Sequence, residues 1–288
     1  MSDDPDFRPP TRSIGLIGGT GGMGRMFRRL FEADGYRVEG MGRAPLDAYE
    51  RLVRASDVLI ISVPIQQTVP LIRSIAPFLR PGQLLSDFTS IKAEPVAAML
   101  ETEADVIGCH PIFAPMADVA GQNVVLCPAR PGRWLPWYRT LYASHGLRVA
   151  EMTPQAHDQA MGFIQGLTHF LNIAFASTLR SAGGDLQQLL QVCSPVYRIF
   201  FAMLCRILSG DAQLYGQIQI TNPDSGPLVR EFLANGQRLL DMIEARDLEA
   251  FYRAFQEAAA YLGDYRDVAR AESNYLIEQF KAYPPREK

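Results

Sequence analysis

From residue 13 to about residue 151, short apolar runs alternate with stretches in which apolar and polar positions follow a helical spacing. The runs fall at 14–17, 36–40, 57–63, 83–88, 105–108, 123–127 and 147–151. Strands alternating with helices predict a mainly parallel sheet covered by helices on both faces. The pattern changes at Thr153-Pro154. A Thr N-cap followed by Pro at the first helical position starts a helix, and Gly183-Gly184 ends it. Ser194-Pro195 repeats the device, Gly210 closes that helix, and further helices are expected at 227–245, 248–262 and 265–280. No strand-like alternation follows residue 152. The organisation expected is a loose tail over residues 1–12, an α/β domain over 13–151 and an all-helical domain over 152–284.

The first run leads into Gly18-Gly19-Thr20-Gly21-Gly22-Met23-Gly24, and a helical pattern follows over 25–33. Gly19, Gly21 and Gly24 fit the dinucleotide spacing G-x-G-x-x-G in a strand–turn–helix setting. Such glycines permit a tight turn and close approach of backbone to a pyrophosphate, which the helix N-terminus attracts through unpaired N–H groups. The α/β domain is therefore expected to be a Rossmann-type dinucleotide-binding domain, with Gly19 to Gly24 in contact with the cofactor. Arg43 lies 19 residues past Gly24 (43 − 24), where the ribose reader belongs. A guanidinium there suits a 2′-phosphate through forked hydrogen bonds. Glu39 falls too early, inside the second strand. NADP is the expected cofactor, with NAD as the alternative, and Ser62-Val63-Pro64 marks the strand end where the nicotinamide half would lie.

Bulk properties narrow the class. The chain has 288 residues, enough for two domains. Its 28 basic and 31 acidic residues leave a net charge of −3, which argues against a broad nucleic-acid-binding face. The start, Met1-Ser2-Asp3-Asp4-Pro5-Asp6, has no apolar core and reads as neither signal nor transit peptide. No apolar run approaches the ~20 residues of a membrane span. Cys109, Cys127, Cys193 and Cys205 form no CxxC pair and no cluster with histidine, so reduced core thiols in a cytoplasmic protein, and no metal, are expected.

Two polar groups follow strands at the edge where open α/β sheets bind ligands: Asp87 to Lys92, and Cys109-His110-Pro111. His110 can take a proton from a substrate hydroxyl as hydride leaves the same carbon, and Ser90 and Lys92 could orient it or the substrate. The helix from Pro195 is apolar nearly all round and is expected to be buried. It nevertheless carries Arg198 and Arg206, eight residues apart (206 − 198) and so on one side two turns apart. A buried arginine needs a partner, so the alternatives are an acidic side chain from a neighbouring helix, snorkelling at the helix end, or a carboxylated substrate. His157 and His169 are 12 apart (169 − 157) on the preceding helix. That spacing puts them about 120° apart around the axis, against a shared metal.

Together, the glycine loop, Ser62-Val63-Pro64-Ile65, Asp87 to Lys92, His110-Pro111-Ile112-Phe113, His157-Asp158-Gln159 and Ser194-Pro195-Val196-Tyr197-Arg198 resemble the prephenate dehydrogenase family. More particularly, they resemble its members often fused to chorismate mutase. The likeness runs in order over nearly the whole chain, and with no mutase segment before the loop a free-standing dehydrogenase is expected. The resemblance implies a Rossmann domain, a helical domain that makes an intertwined homodimer, and an active site between the domains. By motif position it implies that His110 bonds the ring hydroxyl beside Ser90. It also implies that Arg206 binds a substrate carboxylate, with Arg198 and His169 as supporting residues. The implied reaction moves hydride from C4 to the nicotinamide while the ring carboxylate leaves as CO2.

Two departures bear on specificity. Gly42-Arg43 replaces the acidic ending of the NAD-using fused enzymes, and Phe113-Ala114-Pro115-Met116 replaces a Phe-Gly-Pro continuation. Arogenate and 4-amino-4-deoxyprephenate are the alternative substrates. Two rivals are a hydroxy-acid or imine dehydrogenase of the 6-phosphogluconate-like superfamily and a non-catalytic NADP-sensing dimer. The first would usually carry a catalytic Lys or Asp on the first long helix of its helical domain. Here that helix offers His157, Asp158 and His169 but no Lys.

Overall fold

A computed structural model describes residues 13–282, so the tail expected over 1–12 lies outside the described residues. The chain divides into two compact units. Among the described residues, one holds 13–164 together with 216–224, and the other holds 165–215 and 225–282.

The first unit runs β1 (Ser13–Ile17), α1 (Gly22–Ala33), β2 (Arg37–Met41), α2 (Leu46–Ala55), β3 (Val58–Ile61), α3 (Ile65–Ile75) and β4 (Leu84–Asp87). It continues through α4 (Ala93–Leu100), β5 (Asp105–Pro111), β6 (Asn123–Arg130), α5 (Trp134–Ser144), β7 (Arg148–Glu151) and α6 (Pro154–Met161). The seven strands lie in the order β2-β1-β3-β4-β5-β6-β7, and only β5 and β6 pair antiparallel. Strands β3 and β4 are buried at every position. That double burial is why β3 reads as an unbroken apolar run rather than an alternating one, while β4 ends in the buried polar pair Ser86-Asp87. Phe27, Phe31, Trp137 and Tyr142 belong to the apolar layer formed with α1 and α5. Leu52, Ile72, Val96 and Met99 belong to the layer formed with α2, α3 and α4.

β5 runs further than its sequence suggests. The apolar run ends at Gly108, but antiparallel pairing continues the strand through His110 opposite Val125 and Pro111 opposite Val124. His110 therefore sits within the strand near its carboxyl end, not in the loop after it. Ladder hydrogen bonds supplied by β6 hold it there, and no local propensity announces them.

Beyond α6 the chain passes through a π-helical stretch, Gly162–Leu167, and then α7 (Thr168–Ser181), α8 (Leu186–Val192), α9 (Pro195–Leu208) and α10 (Ala212–Thr221). It ends with α11 (Ser225–Glu244), α12 (Leu248–Leu262) and α13 (Tyr265–Ala282). α8 is started by Asp185, whose carboxylate accepts from the backbone N–H groups of Gln187 and Gln188. α10 lacks a helical apolar stripe, which is why the spacing of its residues did not signal a helix. The expectation that α9 is buried does not hold within one chain. Leu204 is its one buried residue, while Val196, Tyr197, Met203 and Leu208 are 48–61% exposed. Two of the expected core thiols, Cys109 and Cys127, are buried, but Cys193 is only half-buried and Cys205 is exposed. No described helix is long and apolar enough to cross a membrane.

Candidate active site

The glycine loop leaves β1 through Gly18, whose φ of +88° no L side chain adopts comfortably. A Cβ on Gly18 would also collide with the Ser62 carbonyl. The turn-forming glycine is thus Gly18, one place before the spacing motif. Gly19 and Gly24 serve close packing. A Cβ on Gly19 would stand 2.6 Å from the Cα of Gly40, and one on Gly24 the same distance from the Cα of Gly19. Gly21 is the N-cap of α1 and offers no side-chain cap, so the first N–H groups of that helix stay available to an anion. Gly22 faces Pro115, and Met23 packs against the core.

A cleft of about 300 Å³ opens at the carboxyl ends of β1, β2 and β3, and Thr20, Gly21, Arg43, Ser62, Val63 and Pro64 all line it. Six of the residues expected to hold the cofactor therefore share one cavity. It lies where the sheet order reverses, with β2 on one side of β1 and β3 on the other. Tyr49 and Gln67 also line the cleft and were not anticipated. The Tyr49 hydroxyl donates to the Gly42 carbonyl at 3.2 Å and accepts from the Ala44 N–H at 3.1 Å, bracing the turn that carries Arg43. Arg43 itself is exposed, and Glu39 lies within β2.

A second cluster forms below the carboxyl edge of β4 and β5. Lys92 is fully buried, and its ammonium is engaged by the Asp87 carboxylate and, at 3.0 Å, by the Thr89 hydroxyl. Removing one member of such a buried pair costs about 3–5 kcal/mol because it strands the other charge. The backbone N–H groups of Lys92 and Ala93 donate to the two oxygens of Asp158 at 2.7 and 2.8 Å, so α6 caps α4. Asp158 Oδ1 also accepts from the His157 ring at 2.7 Å, and His157 Nε2 lies 2.8 Å from His110 Nδ1. Asn222, buried, donates to the Asp158 carbonyl at 2.8 Å.

Burial, with further contributions from the His157 ring and the Lys92 ammonium, holds His110 well below the ordinary imidazole range. Burial also lowers His157, against the upward pull of its hydrogen bond to Asp158. The thiols of Cys109 and Cys127 are pushed up to about 12, chiefly by burial, and stay neutral. Sequence reasoning gave no role to His157, Asp158 or Asn222. The His157-Asp158 dipeptide was the one visible signal, and its partner lies 47 residues away.

Ser90 is half-buried in the turn between β4 and α4. Beyond β5, the loop that follows His110 reaches α1: the Phe113 and Phe27 ring centroids are 6.4 Å apart, and the Met116 N–H donates to the Met26 sulfur at 3.4 Å. In the helical unit, the ring of His169 meets Tyr215 edge-on at 4.6 Å, and burial lowers its affinity for a proton. Arg198 lies 5.0 Å over the Phe280 ring. Arg206 is exposed and forms no ion pair among the described residues. No group of three or more His, Cys, Asp or Glu among the described residues could hold a metal ion.

Residues 42–150 match the profile of the prephenate dehydrogenase nucleotide-binding domain, and residues 153–257 match that of the prephenate dehydrogenase dimerization domain. The T-protein of Haemophilus influenzae is 33% identical over 268 residues, spanning 92% of this chain and 71% of its own length. The chain belongs to the prephenate dehydrogenase family. It is an oxidoreductase of the dehydrogenase type. A 4-amino-4-deoxyprephenate dehydrogenase of Streptomyces pristinaespiralis is 30% identical over 87% of this chain and 91% of its own. The same fold is seen in a prephenate dehydrogenase from A. aeolicus crystallised with hydroxyphenyl propionate and NAD+. That structure has a TM-score of 0.71 at 18% identity, over 87% of this dehydrogenase and 97% of the neighbour.

Proposed function

We propose that this dehydrogenase oxidises and decarboxylates prephenate to 4-hydroxyphenylpyruvate, with NADP as cofactor and as a homodimer joined through its helical domain. The observation that carries the reading is His110: a buried imidazole at the carboxyl end of β5, held below its ordinary range by burial and so present as the free base. Family membership and the dinucleotide cleft on the same edge of the sheet supply its context. The homodimer reading is supported by the dimerization-domain match and by apolar side chains such as Ile243, Phe255, Tyr261 and Tyr275, which one chain leaves 60–89% exposed.

The cleft fits a dinucleotide. Gly18, Gly19 and Gly24 leave no room for a Cβ, and the open N-terminus of α1 and the guanidinium of Arg43 suit phosphates. When bound, the nicotinamide supplies the hydride acceptor. His110 takes the proton of the C4 hydroxyl as that carbon is oxidised, and loss of the ring carboxylate as CO2 leaves the ring aromatic. Ser90 contacts the substrate hydroxyl beside His110. Arg206 binds a substrate carboxylate, with Arg198 and His169 supporting that pocket. Lys92 has its ammonium committed to Asp87 and Thr89, so it positions the turn that carries Ser90 instead of touching substrate. A second reading, oxidation of 4-amino-4-deoxyprephenate, is supported by the Streptomyces pristinaespiralis relative and needs the same proton acceptor.

Assaying prephenate, arogenate and 4-amino-4-deoxyprephenate against NAD and NADP, by the absorbance of reduced nicotinamide, tests this reading. The highest kcat/KM is expected for prephenate with NADP. Turnover of the amino compound alone would select the second reading, and no turnover with purified dimer would refute both.

Arg43→Ala is expected to weaken NADP binding by ~10-fold or more, since a charge-assisted hydrogen bond is worth roughly 1.5–3 kcal/mol. NAD affinity should hardly change. Titration of each cofactor against intrinsic fluorescence would check this, and an equal loss for both would remove Arg43 from the 2′-phosphate.

A further inference from the structure

We propose that His157 and Asp158 are positioning residues for the oxidation: they set the tautomer of His110 and share the positive charge it acquires. The proposal rests on the reading of His110 as the proton acceptor. It follows from three bonded side chains and the number of protons they can hold. Both oxygens of Asp158 accept backbone N–H groups at the start of α4, as an ionised carboxylate does. A carboxylate can only accept, so the 2.7 Å contact with His157 is a hydrogen bond donated by His157 Nδ1. A neutral imidazole protonated on Nδ1 has a lone pair on Nε2. The 2.8 Å contact between His157 Nε2 and His110 Nδ1 is then donated by His110 Nδ1. Neutral His110 therefore carries no proton on Nε2, the nitrogen left to receive one from substrate.

The same chain acts once the proton arrives. As the substrate O–H bond breaks and the His110 Nε2–H bond forms, the imidazole becomes cationic in a buried site, where an unpaired charge is costly. Its Nδ1 proton is shared along the bond to His157, which brings the positive charge toward the Asp158 carboxylate. An orienting carboxylate behind a catalytic histidine works in this way in hydrolytic triads, and here a second imidazole lengthens the arrangement. The other groups around His110 do not supply this help. Lys92 is a cation paired with Asp87 and Thr89, and the thiols of Cys109 and Cys127 are neutral. His157 is fully buried and Asp158 nearly so, so the chain is closed to solvent at its far end.

Asp158 also caps α4, so its substitution would mix two effects, and His157 is the site to test. His157→Phe fills the space without a hydrogen bond. His157→Gln can accept from His110 through its amide oxygen and donate to Asp158 through its amide nitrogen. Losing the correct tautomer is expected to lower kcat of His157→Phe by ~100-fold, within the usual range for general-base catalysis, with KM and cofactor Kd within about twofold of wild type. His157→Gln should recover to within about tenfold of wild type, because it restores the orientation but not the shared charge. Histidine-labelled ¹⁵N NMR should find Nε2 of His110 unprotonated in the wild type and in His157→Gln, and a mixture of tautomers in His157→Phe.

Wild-type kcat in His157→Phe would overturn the proposal. So would equal losses of kcat and of Tm in both variants, or a protonated Nε2 in the wild type. His110→Asn is measured beside them: its retention of activity would refute His110 as the base, whereas the NMR result reports on the hydrogen-bonded chain whether or not His110 is the base.

Discussion

Replacing His110 with asparagine is expected to lower kcat by ~10²- to 10⁴-fold while leaving KM nearly unchanged, the scale on which a positioned general base acts. Asparagine keeps a hydrogen-bonding group in the strand but cannot accept a proton at neutral pH, so binding survives and proton transfer does not. The pH dependence has a definite sign. The base works only when unprotonated, so activity is lost as pH falls through the pKa of His110. The sequence by itself places that acid limb near neutrality. Burial, helped by the nearby His157 ring and Lys92 ammonium, holds the group well below the ordinary imidazole range. The limb of kcat/KM, which reports the free enzyme, is therefore expected below about 6.5. Steady-state kinetics across the acid range check both statements. A limb above the ordinary histidine value, or an Asn variant that keeps most of its activity, would exclude His110 as the base.

Arg206→Ala is expected to raise KM for prephenate by roughly 30- to several-thousand-fold, with cofactor Kd unchanged. The range comes from the ~2–5 kcal/mol lost when one partner of a buried hydrogen-bonded charge pair is truncated, at ~1.4 kcal/mol per tenfold, and it applies to Arg206 as bound substrate would cover it. Sequence reasoning left Arg206 three fates: pairing with an internal acid, snorkelling at the helix end, or binding a substrate carboxylate. Among the described residues it forms no ion pair, and it is exposed in the single chain. Truncation strands no carboxylate there, so Tm should stay close to wild type. Lys92 shows the other case, a fully buried cation tied to Asp87, whose loss would damage the fold. Arg206→Lys should restore only part of the affinity, because an ammonium is a point charge without a planar fork. A large drop in Tm with KM unaltered would make Arg206 structural.

The sequence alone determined what depends on neighbours along the chain. Apolar runs bounded by turns located every strand of the sheet, most clearly β3, where burial on both faces demands apolar residues at consecutive positions. Thr153-Pro154 and Ser194-Pro195 located two helix starts, because their signals act within one turn. Thr153 accepts the Ala156 N–H and Pro154 pre-sets φ, while Ser194 makes no side-chain cap and Pro195 alone supplies the pre-set φ. The glycine spacing was legible because Gly24 must meet the backbone of Gly18 and Gly19, a short distance back in sequence. Tertiary structure decided whatever needed a partner from far away. β5 continues through His110 because β6 offers it a ladder, and an edge of hydrogen bonds leaves no mark in local propensity. Whether an apolar helix such as α9 is covered depends on what packs against it, so its composition could not show that one chain leaves most of it exposed. Lys92 looked available for substrate until the fold turned its ammonium onto Asp87. His110 and His157, 47 residues apart, and Lys92 and Asp158, 66 apart, meet only when α6 docks on α4 and β6. Periodicity could nominate His110, but the protonation of its ring is fixed by hydrogen bonds that exist only in the packed chain.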